Sequence, residues 1–200
     1  MFSQAGGWRA VLTAGLVLSC GYILTPSVQA APVQWAVADG GNDHWYQAVY
    51  VPDRITWTDA QTQAVAAGGY LATISSSAEN AFVASLVTDL KYWYNNSPWN
   101  NSIGPWFGGY KDTVNFSVWH WVTGEDWSFS QWDPGEPNNL GGGENRTHFF
   151  SDPASTAGSN WNDIGVDDIT LGYVIEYNIP EPATLCLLTL GAFTLIRRRA

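Results

Sequence analysis

Both ends of the chain read as removable segments, so the fold is left to whatever lies between them. At the N-terminus Arg9 precedes the apolar run Ala10 to Leu24, and Val28-Gln29-Ala30 stands before Ala31. That is the layout of a secretory signal peptide cut after Ala30, and it predicts export. At the C-terminus Pro180-Glu181-Pro182 leads into mostly apolar residues from Ala183 to Ile196, then Arg197, Arg198 and Arg199. Such a run covers about 21 Å as a helix, short of a ~30 Å hydrocarbon core, and its arginines favour the cytoplasmic side. Both cysteines, Cys20 and Cys186, fall inside these ends. The 149 residues from Ala31 to Ile179 therefore contain none. An exported domain without a disulfide depends on its apolar core, its aromatics and any metal it binds.

Charge narrows the partners of this single domain. Between the two end segments stand 4 basic and 17 acidic residues, a net of -13, against -10 for the whole chain. Nucleic-acid phosphate would be repelled, whereas neutral sugars, cations and basic surfaces remain. Twelve tryptophans and 46% hydrophobic residues exclude intrinsic disorder.

The order of elements can be read coarsely. His44 to Val51 is aromatic and β-branched and reads as a first strand. Thr56 to Asp59 leads into a short helix over Ala60 to Ala67, stopped by Gly68-Gly69. Tyr70 to Ile74 alternates like a strand, and Ser76 with Glu79 has capping-box spacing ahead of a second helix. Asp89 to Pro105 reads as a surface loop. Trp106 to Tyr110 and Trp119 to Val122 read as short strands, and Ile169 to Tyr177 as the closing one. Between them Phe129 to Asn160 is a polar, glycine-rich stretch longer than an ordinary loop, which marks it as functional.

That stretch and its sequel carry the chemistry. Glu136-Pro137-Asn138, Glu144 and Asn162-Asp163 supply three carboxylates and two amides with no His or Cys among them. Oxygen-only donors suit a hard cation such as calcium, which takes six to eight of them. Three carboxylates exceed a divalent charge by about one. Glycines 141 to 143 allow a sharp fold that returns Glu144 to Glu136.

Together these pieces resemble the C-type lectin-like domain, an α+β fold of two short helices, small antiparallel sheets and a long calcium-binding loop. The resemblance runs from His44 to Tyr177 through WTDAQTQAVAAGGYLATI, SSAENAFVASL, WFGGYKD, WVTGEDWSFSQWDPGEPNN, WND and GYVIEY. It implies that Glu136, Asn138, Glu144, Asn162 and Asp163 bind both a Ca2+ ion and carbohydrate, with the Asp163 carbonyl as a further oxygen and a cis bond before Pro137. Two vicinal hydroxyls of the sugar would sit on the ion, accepting hydrogen bonds from ligand amides and donating to ligand carboxylates. Glu then Asn around the proline resembles the mannose-type motif, implying mannose, fucose, glucose or N-acetylglucosamine. The family's usual disulfide positions fall on Ala64 with Ile175 and on Arg146 with Val166, so the resemblance implies a loop without a covalent tie that calcium would order. Asn139 and Asn145 stand where acids of an auxiliary calcium site occur, which argues against a second ion. Asp167 and Asp168 read as exposed loop or as further ligands.

The C-terminal segment resembles the PEP-CTERM sorting tag, which implies processing by an exosortase at the inner membrane of a Gram-negative bacterium. A plain membrane anchor is the alternative. The resulting organisation is residues 1–30 signal peptide, 31–179 lectin-like domain and 180–200 sorting signal. It implies a protein of the cell envelope, cell surface or extracellular matrix, with a homo-oligomer as one route to avidity. A matrix or envelope component using the same fold without sugar is the competing reading.

Catalysis finds little support: paired carboxylates could hydrolyse glycosides, but nothing in the sequence fixes their separation. His44, His120 and His148 lie far apart in sequence without a nucleophile beside them, and Glu125 and Asp126 follow a strand in a turn. Trp106, Trp119, Trp121, Trp132 and Trp161 read as core. Tyr92, Trp93, Tyr94 and Trp99 sit in polar sequence and read either as a satellite hydrophobic cluster or as a sugar-stacking patch.

Overall fold

The computed structural model describes residues 29–112 and 118–178. The signal-peptide run, the apolar segment 183–196 and the arginine tail lie outside the described residues. Among the described residues no helix is long and apolar enough to cross a membrane.

Nine strands form one hydrogen-bonded network: β1 (Val33–Gln34), β2 (Trp45–Thr56), β3 (Tyr70–Leu71), β4 (Tyr94–Asn96), β5 (Asn101–Lys111), β6 (Trp119–Trp121), β7 (Glu144–Ser151), β8 (Asn160–Gly165) and β9 (Ile169–Tyr177). Their order is β1-β2-β9-β5-β7-β8, with β3 on β9 and both β4 and β6 on β5. Pairing is antiparallel except where Trp106 of β5 meets Tyr173 of β9. Two helices, α1 (Trp57–Ala66) and α2 (Ser77–Ser85), complete the α+β fold that the sequence implies.

Local chemistry accounts for the helices. Thr56 caps α1 by accepting from the Asp59 N–H, and the spacing of Trp57, Ala60 and Ala64 gives it one buried face. Ser76 caps α2 by accepting from the Glu79 N–H at 3.2 Å. The Glu79 carboxylate takes the Ser75 N–H and hydroxyl, both at 2.7 Å, and the Tyr46 hydroxyl at 2.5 Å. That hydroxyl lies 3.3 Å from Glu176, which pairs with His44 at 2.5 Å and accepts from the Thr73 N–H. Glu79 and Glu176 are both 2% exposed, so this network fixes α2 against β2 and β9 by satisfying two buried acids.

Two apolar clusters hold the rest. Trp161, fully buried, has its ring within 6 Å of those of Phe107, Trp121, Trp127, Phe129 and Trp132. The second cluster contains Trp57, Ala64, Trp106 and Ile175. The Ala64 and Ile175 positions are thus joined by apolar packing. At Arg146 the guanidinium stacks 4.7 Å over Trp57.

Two expected loops contain strands instead. Within 89–105 the chain makes a 3-10 turn at Leu90–Tyr92, then β4, then the first half of β5. Tyr92 and Trp93 are core residues, and the Trp93 ring nitrogen donates to the Val87 carbonyl. A Cβ on Gly104 would lie 2.6 Å from the Trp93 ring, so glycine makes room for it inside the strand. Pro105 sits where the β5–β7 register shifts between Ile103 and Trp106, a break that tolerates a missing donor. Likewise the stretch 129–160 includes β7, buried between β5 and β8. Its polar sequence hides a core strand because Thr147 bonds across to Gly109 and His148 to Phe149 and Asn162.

Candidate functional site

The site is assembled where the long loop lies against the exposed end of the sheet. Segment 131–133 follows β8: Gln131 accepts from the Trp161 N–H, the Asp133 N–H donates to the Trp161 carbonyl, and the Asn160 amide donates to Asp133. The Glu136 N–H then closes a turn onto the Asp133 carbonyl, and the Glu136–Pro137 bond is cis. Beyond Asn138 the chain reverses through left-handed Asn139, Gly141 and Gly142, and the Asn139 side chain accepts from the Glu144 N–H. The glycines act as the sequence suggests, returning Glu144 to the first arm of the loop.

Four of the five expected residues, Glu136, Asn138, Glu144 and Asn162, line one cavity of about 390 Å³. The Asn138 amide donates to Glu136 at 2.8 Å, and the Leu140 N–H lies 2.8 Å from Asn138 Oδ1 and 2.5 Å from Glu144. Asp163 is fully buried; one carboxylate oxygen accepts from the Asn138 N–H at 3.0 Å and the other meets Lys111 Nζ at 3.3 Å.

Crowded acids show in their electrostatics. Burial, reinforced by the negative charge of Asp163 and Glu136, pushes the Glu144 carboxyl up to about 7 against the opposing Leu140 N–H. Burial and Asp163 also raise Glu136. A cation would relieve both. Among the described residues no three His, Cys, Asp or Glu side chains gather tightly enough to be a metal cluster by themselves.

Asn162 gives the sharpest indication of what the site can accept. Its Oδ1 is buried and has no hydrogen-bond partner. Its Nδ2 donates to His148 Nε2 at 3.2 Å, and His148 Nδ1 donates to the Phe149 carbonyl at 2.6 Å. Burial lowers the His148 pKa to about 4, so the ring is neutral and its Nε2 can accept. The histidine thus holds the amide with its oxygen as the unpaired acceptor, an arrangement that fits a hard cation.

The family profile described as Lectin C-type domain matches residues 53–169, more than half of the chain. The chain belongs to the C-type lectin domain family. A second profile, the PEP-CTERM protein-sorting motif, matches residues 178–200. The lectin chain is 34% identical over 127 residues to a perlucin-like protein of Mytilus galloprovincialis, covering 62% of this chain and 72% of that one. It is 28% identical over 165 residues to mouse (Mus musculus) lithostathine-1, covering 76% and 89%. Among solved structures, human lithostathine superposes with a TM-score of 0.51 at 27% identity, covering 67% of this chain and 83% of that one. The cow CD23 carbohydrate-recognition domain gives 0.52 at 21% identity, covering 68% and 89%, and shows the fold alone.

Sequence reasoning missed two residues at this candidate site. Lys111, 8% exposed at its side chain, reaches Asp163 and the Glu144 carbonyl and lies 4.5 Å over the Trp119 ring. Its signal was a lone lysine closing the otherwise uncharged strand β5. His148 carried no usable signal, because its partner Asn162 is its neighbour only across the β7–β8 ladder. The other histidines fit structural roles: His44 pairs with Glu176, and His120 lies 3.9 Å from Asp112.

Proposed function

We propose that this domain is a calcium-dependent, non-enzymatic lectin exported by a bacterium to its cell surface or exopolysaccharide matrix, with its C-terminal tag processed by an exosortase. Glu136, Asn138, Glu144, Asn162 and Asp163 hold one Ca2+ and, through it, two vicinal hydroxyls of a mannose-type sugar. The unpaired Asn162 oxygen beside raised-pKa carboxylates carries this reading. Charge supports it: three carboxylates and Lys111 sum to about minus two, the complement of one divalent ion.

A second reading, a matrix scaffold that binds no sugar, draws on Lys111, which already supplies a positive charge to Asp163. Calorimetric titration with calcium, then mannose, separates the two. The lectin binds one ion and then sugar, with the sugar heat abolished by EDTA. Glu136→Gln with Asn138→Asp shifts its preference away from mannose. Calcium without sugar, or neither, favours the scaffold.

A further inference from the structure

The cavity at the candidate cation site extends beyond it. Besides Glu136, Asn138, Glu144 and Asn162 it is lined by Asn96, Trp99 and Asn101, contributed by the β4–β5 hairpin. Of the four aromatics in 92–99, Tyr92 and Trp93 are core and Tyr94 is capped by Arg54 at 4.6 Å. Trp99 is different. It is 65% exposed, whereas every other described tryptophan is buried or half-buried.

An exposed indole on a hairpin tip loses hydrophobic stabilisation, yet this tip is firmly built. Asn96 pairs with Asn101 in the β4–β5 register, the Trp99 N–H closes the turn onto the Asn96 carbonyl, and the Ala154 N–H donates to the Asn100 carbonyl at 2.7 Å. Ser102 accepts from the Ser155 N–H just below. On the loop side of the same cavity Leu140 is 63% exposed. Among the described residues the two bulky apolar side chains with the greatest exposure thus line the cavity that Glu136 and Glu144 also line. A wall that is rigid, aromatic and continuous with hydroxyl-binding groups suits a ligand with alternating polar edges and apolar C–H faces.

We propose that Trp99 forms a second sugar subsite: the glycan unit next to the one held at Glu136, Asn138, Glu144 and Asn162 stacks its C–H face on the indole. The ligand class is then an oligosaccharide or polysaccharide chain of at least two pyranose units. This deepens the lectin reading and rests on it.

The test compares wild type, Trp99→Ala and Trp99→Phe by calorimetry in calcium and in EDTA. The probes are mannose with mannobiose, glucose with cellobiose, and N-acetylglucosamine with chitobiose. Wild type binds the preferred disaccharide about tenfold more tightly than its monosaccharide, the gain expected of one aromatic contact. Trp99→Ala loses that gain while keeping its melting temperature, calcium affinity and monosaccharide affinity, and Trp99→Phe restores part of it. Calcium-dependent monosaccharide binding with no disaccharide advantage, or an advantage that survives Trp99→Ala, overturns the subsite and leaves the lectin reading intact. No sugar binding by any variant overturns both.

Discussion

Lys111→Met removes the one positive charge that reaches Asp163 while keeping an unbranched apolar stem of similar length. At 3.3 Å the gross attraction is about 5 kcal/mol at an effective dielectric of 20. Asp163 is fully buried, so the variant leaves its carboxylate with the Asn138 N–H but without the lysine. Breaking a buried pair in this way costs about 3–5 kcal/mol, and the contact with Trp119 adds up to ~1 kcal/mol. We take about 3 kcal/mol as the expected loss in EDTA, a fall in Tm of about 6–12 °C for a domain of this length.

Calcium should return part of that loss. The empty variant site carries one more uncompensated negative charge, so the ion has more to neutralise. Recovery of about 1.4 kcal/mol on binding corresponds to a tenfold tighter calcium Kd than in wild type. Differential scanning calorimetry with and without calcium, paired with an isothermal titration, reads both effects. A variant within about 0.5 kcal/mol of wild type in EDTA would refute the claim that Lys111 neutralises Asp163. Weaker calcium binding would refute the charge balance. Calcium binding gained by the variant where wild type has none would identify the lysine as the resident cation of a scaffold.

Two further results follow from the titratable groups. As a calcium ligand Glu144 would have to be ionised, and burial pushes its carboxyl up to about 7; apparent affinity should therefore weaken about tenfold for each pH unit below 7, whereas a flat profile between pH 5 and 7 would exclude Glu144 as a ligand. His148 is fully buried with a pKa lowered to about 4 from 6.5, so the unfolded chain takes up a proton first and stability is lost as pH falls through this window, by about 3 kcal/mol at pH 4. His148→Leu should flatten that acid limb in thermal melts and, by releasing the Asn162 amide, weaken calcium about 10- to 100-fold. Unchanged calcium affinity would mean that Asn162 is oriented by something else.

The fold was legible wherever neighbours in sequence decide the structure. Both helix caps, at Thr56 and Ser76, and the left-handed glycines of the loop are local devices. The strands missed were those whose burial depends on distant partners. Thr147 and His148 give β7 a polar appearance, and only the flanking strands β5 and β8 allow that polarity to be buried by supplying partners. Gly104 and Pro105 read as loop residues because nothing nearby announces the Trp93 ring or the register break that accept them. At the site the acids and amides were visible as a donor set. The groups that tune them act between strands: His148 across the β7–β8 ladder, and Lys111 from β5 to Asp163 on β8.

That division bears on how the site works. Asn162 and Asp163 sit on β8, whose register is fixed by β7, while Glu136 and Asn138 hang on a loop whose ends are pinned by β8 and β7, and Glu144 stands where that loop enters β7. The rigid half therefore carries the groups whose orientation is set in advance, the Asn162 oxygen by His148 and the Asp163 carboxylate by Lys111. The loop half carries the carboxylates with raised pKa, held by backbone N–H groups of Asn138 and Leu140 that belong to the same loop. A cation entering the cavity would meet fixed oxygens on one arm and adjustable ones on the other, so its binding energy would be spent on closing the loop against a sheet that does not move. Trp99, anchored by the β4–β5 hairpin through Asn100 and Ala154, belongs to the fixed side. Loss of calcium would then loosen the sugar-coordinating arm and leave the stacking wall in place.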